Sequence, residues 1–100
     1  ITACDTSDPH ALTQLLTTIP HQHPLTAIFH TAGIEAREPL ASTSLDALVH
    51  VARAKTETAW HLHHLTQHLP LTAFVLFSSG AGVWGGGNQG GYAAANAYLD

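Results

Sequence analysis

Apolar residues follow two rhythms along this chain. In Leu25–His30 and Ala73–Phe77 they run almost unbroken, whereas through Ala11–Ile19 and Leu45–Leu69 they recur at helical spacing. A short apolar run, Ile1–Cys4, precedes them and predicts a first strand ending at Asp5. Ser7-Asp8-Pro9 then supplies a cap residue followed by a proline where a first-turn N–H is not needed, and predicts a helix through Ala11, Leu12, Leu15, Leu16 and Ile19 up to Pro20. Leu25–His30 predicts a second strand, buried on both faces and stopped by Thr31-Ala32-Gly33. Ser42–Ser44 opens a long helix through Leu45, Leu48, Val49, Ala52, Ala59, Leu62, Leu65 and Leu69, which Pro70 closes. A third strand over Ala73–Phe77, a glycine loop and a helix bearing Tyr92 and Asn96 complete the chain.

Strand and helix alternate with short connections, which predicts an α/β fold: a Rossmann-like parallel sheet with flanking helices, in three β-α units. Ligands of such sheets gather at the carboxyl ends of the strands, here Asp5, His30–Gly33 and Ser78–Gly82. Apolar residues make up 45% of the chain and charged ones 10%, the composition of core-rich globular material. Three Lys+Arg against seven Asp+Glu give a net charge of -4, with no basic cluster. Nucleic acid and an anionic membrane surface are therefore not expected partners. The one cysteine, Cys4, has no partner for an internal disulfide and suits a reducing compartment. No apolar run approaches the roughly 18 residues of a membrane span, so a cytoplasmic location is expected. The opening on a strand already under way and the end at Leu99-Asp100 inside a helical pattern predict that residues 1–100 are the central part of one larger domain, truncated at both ends.

Gly80-Ala-Gly82-Val-Trp-Gly85 has the G-x-G-x-x-G spacing of a dinucleotide loop. That motif needs a helix beginning near its last glycine so that amide N–H groups face pyrophosphate, and Gly85-Gly86-Gly87 opposes a helix start. His61, His64 and His68 share one helix face, a metal module or a solvated face. The leucine stripe beside them takes the buried side and no carboxylate orients them, so no metal is expected. Lys55, the only lysine, reads as a surface cation when taken alone. Tyr92 and Asn96, four apart, share a helix face, and Asn among alanines is a poor helix former that wants a reason. Ser79 stands just past the third strand. A hydroxyl, a phenol, an amide and an ammonium form a set with a shared use that none has alone.

The run Phe74–Asp100, with Ala3-Cys4-Asp5, Phe29-His-Thr-Ala-Gly33 and Ala54-Lys-Thr-Glu-Thr-Ala-Trp-His-Leu62, resembles the ketoreductase domain of bacterial modular type I polyketide synthases, a branch of the short-chain dehydrogenase/reductase family. The likeness covers nearly the whole chain. It implies Tyr92 as general acid, Ser79 as its partner on the substrate carbonyl, and Lys55 and Asn96 as the supporting pair. This branch has asparagine four residues after the tyrosine and takes its lysine from the preceding helix, and the chain follows it at both positions.

The resemblance further implies NADPH as cofactor, with Asp5 near the adenine, Thr31, Ala32 and Gly33 near ribose and nicotinamide, and Tyr92 and Lys55 also on the cofactor. The family's glycine fingerprint precedes the residues matching Ile1, so the isolated segment is expected to be inactive. The implied reaction reduces a β-ketoacyl chain tethered through phosphopantetheine to an acyl carrier protein, beside other domains of the same synthase. Trp84, eight residues before Tyr92, and the lack of Leu-Asp-Asp at Glu35-Ala36-Arg37 imply the A-type, L-hydroxyl outcome. Gln89, where the epimerising subclass has His, implies the A1 subclass. Trp84 also has a plain packing reading. The alternative function is a non-reducing pseudo-ketoreductase that scaffolds a module.

Overall fold

The computed structural model describes all of residues 1–100. Helix α1 (Pro9–Thr17) begins where Asp8 accepts hydrogen bonds from the amides of His10 and Ala11. Strands β1 (Ala27–His30) and β2 (Ala73–Leu76) pair in parallel, with Ile28 opposite Phe74 and His30 opposite Leu76. Between them lies one helical rod. It opens as α2 (Leu45–Ala52), capped by the Ser44 hydroxyl on the Ala47 amide, passes through a π-turn over Arg53–Glu57 and continues as α3 (Thr58–Thr66). A single helical turn, α4 (Ala81–Trp84), and helix α5 (Gly90–Ala97) follow β2.

Leu12 of α1, Ile28 of β1 and Leu62 of α3 form the core, with Leu15, Leu16, Leu25, Leu65, Leu71 and Phe74 packed around it. Both helices thus cover the Ile28 face of the sheet, and alternation along the strand brings His30 to that face too. Phe29, on the other face, is exposed, so β1 is buried on one face where its unbroken apolar run predicts two. The parallel α/β arrangement agrees with the sequence reading, but Ile1–Cys4 pairs with no strand and runs as irregular backbone. The rod also departs from expectation. Leu45 and Val49 stand exposed, and its buried face runs instead through Val51, Lys55, Thr58, Ala59, Leu62 and Thr66. Both stripes have helical spacing, and the buried one carries the lysine.

Helix α5 packs against α2, the π-turn and α4. Glycine permits the last contact: a Cβ on Gly82 would lie 2.9 Å from the Ala97 backbone nitrogen. Gly82→Ala should therefore destabilise by about 1–3 kcal/mol in denaturant unfolding. Gly87→Ala, where a Cβ meets nothing within 4 Å, should be close to neutral.

His30 gives the fold a pH dependence. Burial holds its ring below the ordinary 6.5, with the Lys55 ammonium acting in the same direction and the hydrogen bond to the Lys55 carbonyl opposing it. The folded state thus favours the neutral ring, and the unfolded chain binds the proton more readily. This contribution to stability is fully present above pH 6.5 and is lost as pH falls from there through the lowered value of the folded state. Unfolding midpoints of the native protein, compared with its His30→Gln variant across that window, should show a steeper acid decline for the native sequence. Parallel declines in the two proteins would contradict it.

Candidate active site

The carboxyl ends of β1 and β2 and the π-turn meet around Lys55. This lysine is 4% exposed, and an ammonium buried that far needs hydrogen-bond acceptors. Its Nζ donates to the Phe77 carbonyl at 2.6 Å. Phe77 is the first residue past β2; its amide still extends the ladder to the His30 carbonyl at 3.0 Å while its own carbonyl turns to the lysine. Gly33 lies on the lysine stem, where a Cβ would come within 3.0 Å of Lys55 Cε. Any larger residue there would press on the stem and require it to shift by a few tenths of an ångström.

Ser79 follows β2, and its Oγ accepts from the Ala81 amide at 3.2 Å, at the entry of α4. With a lone pair so engaged, the hydroxyl hydrogen is available to another acceptor. Trp84, at the end of the same turn, is 81% exposed, and its indole folds over Gly80, where any side chain would collide with it. Ser79 and Trp84 line one open cleft of about 390 Å³.

On α5, Asn96 is fully buried. Its Nδ2 donates to the Tyr92 carbonyl at 2.7 Å, a back-bond along the helix that accounts for an asparagine among alanines. Its Oδ1 is buried without a hydrogen-bond partner. The Asn96 carbonyl in turn accepts from Ser78 Oγ at 3.1 Å, which pins α5 to the end of β2. Tyr92 is half-buried one turn before Asn96, and no hydrogen bond joins its hydroxyl to Lys55 or Ser79.

A second cleft, of about 430 Å³, opens at the carboxyl end of the sheet, lined by Asp5, Ala32 and Gly33 together with His50 and Arg53 of the rod. Hydrogen bonds from the Ser7 hydroxyl and amide hold the Asp5 carboxyl below its usual range. Thr31 is exposed at the end of β1, outside this cleft's lining. His50 and Arg53 were not singled out by sequence; three apart on the rod, they share a helix face with each other, but that spacing alone carries no signal for a cofactor.

Gln89 donates through Nε2 to Glu35 Oε1 at 2.7 Å, and Arg37 bonds the same oxygen at 2.7 Å. The Arg37 hydrogen bond and charge, then the Gln89 bond, hold Glu35 below the ordinary carboxylate range. The Glu38 amide donates to the Asn88 carbonyl at 2.8 Å, so the loop after β1 and the loop before α5 are tied twice. Gly85, at φ 79°, ends α4, so no helix begins at the last glycine of the G-x-G-x-x-G spacing. Of the three histidines on α3 and just beyond, His64 and His68 are exposed. His64 packs against Trp60, the rings tilted at 45° with centroids 4.1 Å apart.

The family model of the KR domain matches residues 1–100. The pikromycin polyketide synthase component PikAIII of Streptomyces venezuelae is 53% identical over the whole chain, which spans 6% of that protein. Solved A-type ketoreductases from a modular polyketide synthase superpose with a TM-score of 0.94 at 55% identity, over 99% of this chain and 21% of theirs. An A1-type ketoreductase gives 0.94 at 54% identity, over 99% of this chain and 21% of its own. The chain therefore belongs to the KR domain family, the ketoreductase domains of modular polyketide synthases.

Proposed function

We propose that residues 1–100 are the central catalytic part of a ketoreductase domain that reduces a β-ketoacyl chain, carried on the phosphopantetheine of an acyl carrier protein, to the β-hydroxyacyl form. The observation that carries this reading is the buried Lys55 ammonium held at the carboxyl ends of two parallel strands, where Ser79 follows β2 and the helix of Tyr92 and Asn96 packs against the π-turn.

Adding hydride to a ketone carbon leaves negative charge on its oxygen, and a donor must meet that oxygen as the charge forms. Tyr92 supplies the proton. As the proton moves, the negative charge on the reacting oxygens is stabilised by a fixed positive charge nearby. Lys55 provides that charge. One of its three N–H groups is committed to the Phe77 carbonyl, which leaves two for the Tyr92 hydroxyl and a cofactor ribose hydroxyl. Ser79, whose oxygen already accepts from Ala81, donates its hydrogen to the substrate oxygen and orients it. Asn96 supports the pair from α5, where its Oδ1 is a buried acceptor with no partner of its own.

No side chain delivers hydride, so a nicotinamide cofactor supplies it, and NADPH is the form we assign. The cleft of about 430 Å³ beside Asp5, Ala32 and Gly33 fits such a group: it lies at the strand ends, and Gly33, which lines it, also lies on the lysine stem. Asp5 would take the adenine side, and Thr31, Ala32, Gly33 and Lys55 the ribose and nicotinamide side.

We further assign the A1 outcome, an L-configured hydroxyl without epimerisation of the α-substituent. Trp84 beside Ser79 and an amide rather than an imidazole at Gln89 support it, as does the likeness to the A1-type structure.

In the intact synthase, Tyr92→Phe should lower β-keto reduction by about 10²- to 10⁴-fold, the usual worth of a positioned proton donor, while cofactor binding by fluorescence titration persists. Turnover at the native rate would overturn the assignment. Chiral chromatography of the native product should give the L-hydroxyl, and a D-hydroxyl product would refute the A-type assignment.

A further inference from the structure

We propose that His30 is a positioning residue that sets Lys55 by holding the backbone of the π-turn, an inference that rests on the reading of Lys55 as the lysine of the site. His30 is 3% exposed, sits at the end of β1 and has no place in the proton-transfer chemistry. Its Nε2 lies 3.0 Å from the Lys55 carbonyl. A carbonyl only accepts, so Nε2 carries the hydrogen and donates it.

Three hydrogen bonds then close a circuit. The Phe77 amide donates to the His30 carbonyl at 3.0 Å, the Lys55 ammonium donates to the Phe77 carbonyl at 2.6 Å, and the His30 ring donates to the Lys55 carbonyl at 3.0 Å. Lys55 is thereby gripped at both ends, its backbone by β1 and its ammonium by the end of β2. The π-turn makes the first grip available. The Thr58 amide is shared between the carbonyls of Arg53 and Lys55, five and three residues back, so the Lys55 oxygen accepts both from the distorted helix and from the His30 ring. A lysine stem has four rotatable bonds, and fixing its root as well as its tip reduces the freedom of the ammonium between them.

The test is a cycle of steady-state reduction rates in the intact synthase, with His30→Leu, His30→Gln and His30→Asn each made in the native and Lys55→Ala backgrounds. Gln places its amide nitrogen as many bonds from Cβ as Nε2 of the imidazole, and Asn falls one bond short. With Lys55 present, His30→Leu and His30→Asn should lower kcat by about 10- to 100-fold, the scale of a small misplacement of a catalytic group. His30→Gln should retain most of the rate, because the donor persists. Once Lys55 is alanine, all three should cost nothing further in the residual rate. A loss from His30→Leu undiminished in the Lys55→Ala background, or equal rates for Gln and Asn, would overturn the proposal. Gln and Asn keep the comparison decisive if the Leu variant fails to fold. Native activity in Lys55→Ala alone would instead overturn the reading of Lys55 as the lysine of the site.

Discussion

A nearly dry ammonium is the constraint on which the rest of this structure depends. Burying Lys55 is costly unless the charge is met by acceptors, and at least one comes from the main chain: the Phe77 carbonyl, freed because β2 has just ended. That requirement propagates. The strand must stop at Leu76 while the Phe77 amide still bonds His30 across the sheet, so a single residue both continues the ladder and leaves it. The turn after β1 passes over the lysine stem at Gly33, where a Cβ would press on Lys55 Cε. The rod must open its helical ladder at Arg53–Glu57, and there the Lys55 carbonyl meets β1.

Around that fixed point the remaining polar groups are held by short-range bonds rather than by a large core. Ser79 is set by the amide of Ala81, Asn96 by the carbonyl of Tyr92, and α5 as a whole by Ser78. The two loops that rim the site are tied to each other through Glu35–Gln89 and Glu38–Asn88, with Asn88 in the left-handed region at φ 59°. Asparagine tolerates that conformation better than most residues. The indole of Trp84 is exposed to solvent on the rim, and it lines the same cleft as Ser79.

Much of this was legible in the residues, for identifiable reasons. The strands at Leu25–His30 and Ala73–Phe77 announced themselves by unbroken apolar runs between turn residues, and Asp8 and Ser44 by their place before helical spacing; both cap as expected. Tyr92 and Asn96 share a helix because their spacing permits it and the intervening alanines favour it. Ile1–Cys4 misled because an apolar run predicts burial, not a pairing partner, and strand structure needs both. Lys55 could not be seen as buried, because alternative helical stripes cross the rod and hydropathy favours the one through Leu45 and Val49. The π-turn has no residue signature, and the single turn of α4 is hidden between glycines that individually oppose helix.

The placement of the one lysine also explains, in physical terms, why α5 carries an amide four residues after Tyr92. Position 96 is fully buried, and its side-chain nitrogen is already used on the Tyr92 carbonyl. A second ammonium there would need acceptors beyond those the helix offers and would repel Lys55 in a low-dielectric setting. A neutral amide instead satisfies the helix carbonyl and leaves a buried acceptor, Oδ1. Moving the charge to the rod gains something an α5 lysine would lack. At Lys55 the sheet anchors the backbone beneath the charge, through His30, as well as the charge itself, through Phe77. In the proposed reaction Tyr92 then faces a single positive charge whose position is set by the two strands of the sheet rather than by the helix on which the acid itself sits.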